Sequence, residues 1–95
     1  MKPPDQFHLP GLSAYAQDDH IIINVQCRRQ HQADMLLTCR DARGLARVLR
    51  SLHTHADLSP RQHRDLRCWI SSQLTGILRR QRLRAVLLAA GLHPN

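Results

Sequence analysis

The chain has 95 residues and a formal net charge of +7, carried by thirteen arginines and a single lysine, Lys2, with no glutamate anywhere. That length makes one domain burying roughly 60–65% of its unfolded surface, and three aromatics (Phe7, Tyr15, Trp69) are too few for a platform that stacks single-stranded bases. The longest apolar run, 85–92, is eight residues and excludes a membrane span, while three cysteines without regular spacing exclude a disulfide-built secreted domain. With no apolar leader after Met1-Lys2-Pro3-Pro4, the expected setting is the reducing cytoplasm.

In chain order, Pro3, Pro4 and Pro10 in the first ten residues argue against helix and ladder pairing, so 1–19 reads as an extended arm anchored by Phe7, Leu9, Leu12 and Tyr15. A single compact α+β domain is expected over 20–95. The strand signal from His20 to Cys27 puts Ile21, Ile23, Val25 and Cys27 on one face and Ile22, Asn24, Gln26 and Arg28 on the other. Met35–Cys39 supplies a second strand, and the polar stretch between makes the pair a β-hairpin. Two strands alone are marginal in water, so helices must cover one face and a homodimer is expected.

Asp41 is the expected N-cap of a first helix, whose apolar stripe is Leu45, Val48, Leu49 and Leu52, with Arg43, Arg47 and Arg50 opposite. Gly44 would weaken its first turn by about 1 kcal/mol. Ser59-Pro60-Arg61-Gln62 is a capping box for a second helix with Leu66, Trp69, Ile70, Gln73, Leu74 and Ile77 on one side. Its stripe then slips by about 110° to Leu83, Val86, Leu87 and Ala90, which predicts a break between Gly76 and Arg82 and a short third helix ending at Gly91.

The functional signal is the distribution of charge. Residues 1–58 balance at +1, whereas 59–95 hold seven arginines against Asp65, a balance of +6. Guanidinium groups bind the oxygens of phosphate or carboxylate in pairs, and no glutamate stands one turn away to neutralise them. Arg43, Arg47, Arg50, Arg61, Arg64, Arg79, Arg80, Arg82 and Arg84 are therefore candidates for phosphate contacts. Asn24, Gln26 and Arg28 are side-chain types that read base edges in the major groove. The expectation is a small, basic, non-enzymatic regulatory protein that binds nucleic acid, chiefly duplex DNA. The alternative is an adaptor, chaperone or inhibitor whose arginines meet an acidic protein surface.

His53, His55 and His63, or Cys27 with His31, bring ligand types together without paired zinc spacing, so no metal or other cofactor is expected. Neither a phosphate loop nor a nucleophile elbow is present, and the cysteines sit in apolar patterns that suit inert core thiols. The stretch 77–92 lacks a Trp or Phe anchor for a lipid surface, so no membrane partner is expected.

Overall fold

Two tight turns organise the N-terminal half. Leu9 faces Leu12 across Pro10-Gly11, and Gly11 has φ 77°, which matches the Pro-Gly requirement of a type II turn. Gln17 faces His20 across Asp18-Asp19, whose φ values of 49° and 62° are the paired positive angles of a type I′ hairpin. Asp tolerates this conformation better than most residues with a Cβ. These turns join three antiparallel strands, β1 (Gln6–Leu9), β2 (Leu12–Gln17) and β3 (His20–Val25), with β4 (Met35–Cys39) completing a sheet of order β1-β2-β3-β4. The computed structural model describes residues 5–26 and 34–91.

This corrects the reading of 1–19 as an arm outside the domain: residues 6–17 are two strands, and β2 pairs with β3 across the boundary expected at 19/20. The prolines misled because Pro10 occupies a turn and leaves the ladders on either side intact.

Strand alternation sends Leu12, Ala14, Ile21, Ile23, Val25 and Cys39 into a core with Phe7, Leu9, Met35 and Leu37 packed against it. Two helices cover that face. In α1 (Ala42–His55), Asp41 caps the first turn by accepting from the Gly44 amide at 2.7 Å, and Val48 and Leu52 are buried. In α2 (Pro60–Ala89), the Ser59 hydroxyl accepts from the Gln62 amide and the Gln62 side chain accepts from the Ser59 amide, the reciprocal capping box. Leu66, Trp69, Ile70, Leu74 and Ile77 bury against the sheet, and Trp69 meets Phe7 of β1 with ring centroids 5.8 Å apart.

The expected break in α2 does not occur. The helix runs unbroken for 30 residues, about 45 Å at 1.5 Å per residue. The strands are at most six residues long, roughly 20 Å, so α2 overshoots the sheet after Ile77. The slipped stripe belongs to this overhang and among the described residues has no core residue beneath it, which is why Leu83 and Val86 are exposed; Leu88, on the phase of the first stripe but past the sheet, is exposed as well. Arg, Leu, Gln and Ala, all good helix formers, carry the helix on, and Gly91 ends it at φ 76°. Two helices therefore pack on one face of the sheet. Its other face carries the rows Gln6-Tyr15-Ile22-Thr38 and His8-Ser13-Asn24-Leu36.

Candidate nucleic-acid interface

Each helix turns its buried stripe to the sheet, so its opposite side looks away from the sheet. On α1 that side holds Arg43, Arg47 and Arg50, all exposed. On α2, Arg61, Arg64, Arg79 and Arg82 are exposed and fall within about 120° of arc opposite the buried residues. Arg67, exposed on the same side, joins them, although its place in the sequence had not marked it as a phosphate ligand. The signal that could have found it is its i, i+3 spacing from Arg64, which sets it about 60° from Arg64 and Arg82 at the edge of the same side. Between the two groups of arginines the same side presents Ser71 and Ser72, exposed hydroxyls of the kind that hydrogen-bond phosphate oxygens, while the neighbouring Thr75 hydroxyl donates to the Ser71 carbonyl at 2.9 Å. From Arg61 to Arg82 the row spans about 32 Å, close to one turn of a B-form duplex.

Arg80 and Arg84 do not belong to this row. The helix turns them toward the sheet, where the β2–β3 turn brings Asp19 within 3.4 Å of the Arg80 guanidinium and 3.6 Å of the Arg84 guanidinium. On α2 itself the one carboxylate is Asp65, about four turns before Arg80, so the partner of Arg80 and Arg84 comes from across the fold. Both arginines remain more than half exposed, so each pair contributes little to stability, but together they fix the direction of two guanidinium groups.

Asn24 is exposed on the open face of the sheet, in register with Ser13 and Leu36, so the sheet lies between it and the helical arginines. Gln26 is exposed one residue beyond β3, where its amide donates to the Gly11 carbonyl at 2.9 Å. Arg28 lies outside the described residues. Asn24 is thus not on the surface that carries the helical arginines.

Near the α1–α2 connection the rings of His53 and His63 meet edge to face at 6.3 Å, and Nε2 of His63 is buried without a hydrogen-bond partner. Among the described residues no group of three or more His, Cys, Asp or Glu side chains is arranged to hold a metal ion. Cys27 and His31 lie outside the described residues. Cys39 is buried between β4 and α1, and burial, aided by the Asp41 carboxylate, raises its thiol to about 11. Cys68 is exposed on α2. No helix among the described residues is long and apolar enough to cross a membrane. Compared with known proteins, the chain matches no family model, no curated protein and no solved structure.

Proposed function

We propose that this protein is a small non-enzymatic regulatory or accessory module that binds nucleic acid, in the first place duplex DNA, through arginine–phosphate contacts. The observation that carries this reading is the row on α2: Arg61, Arg64, Arg67, Arg79 and Arg82 share one solvent side of an unbroken helix, with exposed hydroxyls between them. The arginines of α1 lie on the same side of the sheet and widen the basic surface. Such contacts position a protein on a duplex without reading its sequence. Free thiols at Cys39 and Cys68 suit a reducing cytoplasm. Among the described residues β4 is an outer strand of the sheet, which gives a homodimer a place to pair by sheet extension.

A gel mobility shift on two unrelated duplexes tests the reading. Wild type is expected to shift both at low salt. Replacing Arg61, Arg64 and Arg67 with Gln is expected to weaken both complexes equally and to flatten the salt slope by about 0.9 for each phosphate that is no longer neutralised. Replacing Arg80 and Arg84, whose guanidinium groups face Asp19, is expected to cost less. A wild-type protein that shifts neither duplex at low salt rules the reading out.

A further inference from the structure

Past Ile77, α2 leaves the sheet and carries an apolar stripe of its own: Leu83, Val86, Leu87 and Ala90, at the spacing i, i+3, i+4, i+7. Leu83 and Val86 are each 60% exposed. A stripe of this spacing is what a helix presents to another helix, and none of it belongs to the core or packs against it, although Leu87 is half-buried. Exposed apolar side chains rimmed by charge mark protein contacts, whereas Leu and Val have nothing to offer a phosphate. The rim is basic on both sides. Arg82 borders one flank, Arg79 stands one turn before Leu83 on the stripe's own line, and Arg80 and Arg84 border the other flank, directed by Asp19.

Charge selects the occupant. The sequence has no acidic residue after Asp65, so two copies of this stretch laid parallel would set arginine against arginine, and laid antiparallel would set the arginines against Ala89 to Gly91, which offer no carboxylate; neither arrangement neutralises the rim. A partner with carboxylates on either side of its own apolar stripe removes that repulsion and pairs with it. We infer that the overhanging end of α2, from Arg79 to Ala90, is a docking site for an acidic amphipathic helix of another protein. Leu83, Val86 and Leu87 form its apolar seam, and Arg79 and Arg82 pair with carboxylates flanking the partner's seam. The seam covers about 17 Å, so it takes three turns or so of partner helix. Arg79 and Arg82 also belong to the row proposed for phosphate, so a docked helix and a duplex would compete for them, whereas the apolar seam and Arg61, Arg64 and Arg67 each belong to one reading only.

The test uses the full chain and a labelled peptide of about three heptads, with Leu at the a and d positions and Glu at e and g, where the glutamates keep copies of the peptide apart. A peptide of the same composition in scrambled order is the control. By fluorescence anisotropy, the ordered peptide is expected to bind wild type about tenfold or more tighter than the scrambled one. Leu83→Ser/Val86→Ser and Arg79→Gln/Arg82→Gln are each expected to lose about tenfold in affinity for the ordered peptide. Because these side chains are exposed, the melting temperature is expected to hold, and Leu83→Ser/Val86→Ser is expected to shift duplexes as wild type does. Equal binding of the two peptides would reduce the site to unspecific charge and overturn the inference. So would no binding by wild type, or an unchanged affinity in the Leu83→Ser/Val86→Ser variant. Sedimentation of wild type without peptide adds one more arm: a dimer that Leu83→Ser/Val86→Ser dissociates would make a second copy the occupant and would also overturn it.

Discussion

Gly44 and Gly76 both lie within helices, yet their surroundings differ. A Cβ built on Gly44 would stand 2.8 Å from Cβ of Cys39 and 3.2 Å from its Cα, so α1 can approach β4 this closely only with glycine there. At Gly76 the nearest group is the Arg80 guanidinium at 3.5 Å, an ordinary contact. Gly44→Ala is therefore expected to lower stability by about 1–3 kcal/mol through overpacking, outweighing its gain in helix propensity. Gly76→Ala is expected to raise stability by about 0.5–1 kcal/mol. Urea denaturation of the two variants checks both signs, and equal shifts in one direction would contradict the close packing of Cys39 on α1. The same packing governs thiol chemistry. Cys39 is buried and its pKa is raised to about 11 from an ordinary 9.0, so it stays a neutral thiol at physiological pH. A thiol reagent at neutral pH is expected to label Cys68 first and Cys39 only after unfolding. Because the folded value is the higher one, the stability gained from the neutral thiol is whole below pH 9 and is lost as pH rises through about 11. Denaturation midpoints should therefore fall more steeply over that interval in wild type than in Cys39→Ala.

At the scale of elements, α2 is one helix with two jobs divided along its length. Its first eighteen residues bury a stripe on the sheet, and the remainder projects beyond it, tied back among the described residues by Asp19. Asp19→Asn keeps a residue that tolerates the turn's positive φ and removes the charge. It is expected to cost roughly 0.2–1 kcal/mol in overall stability and to speed amide exchange in 80–89 without changing 66–77. Unchanged exchange in 80–89 would show that the two ion pairs do not steady the overhang. Local sequence announces the caps of both helices, because Asp41 and the Ser59–Gln62 box act on amides within three residues. The length of α2 was harder to read. A slipped stripe reads as a break only if both halves must face one core, and the sheet is too short for that.

Across the whole molecule, the sheet separates two surfaces of different character. The helical side is dominated by arginine. The open side mixes His8, Ser13, Asn24 and Thr38 with half-buried Tyr15 and Ile22 and exposed Leu36. If phosphates are held on the helical side, Asn24→Ala is expected to shift duplexes as wild type does, whereas loss of Arg61, Arg64 and Arg67 weakens the complex across all sequences. A selective loss with Asn24→Ala would move the interface to the open face. The molecule's extents of 55 × 28 × 20 Å follow from one long helix on a small sheet, which leaves much of its basic length open to a partner.

By itself, the sequence determined what depends on near neighbours: the β3 and β4 alternation, the helix starts, the apolar stripes, the excess of arginine, and the left-handed end at Gly91. The N-terminal hairpin was legible too. Two alternating runs on either side of Asp18-Asp19, and Pro10-Gly11 before them, are turn signals that the count of prolines obscured. Helical phase already sets Arg80 and Arg84 on the side of the buried stripe and Arg79 and Arg82 opposite it, but only tertiary structure brings Asp19, some sixty residues away in sequence, to the first pair. It also decided that Asn24 and the helical arginines face opposite ways. Which side of a sheet the helices cover depends on contacts between elements distant in the chain, and no local pattern records it.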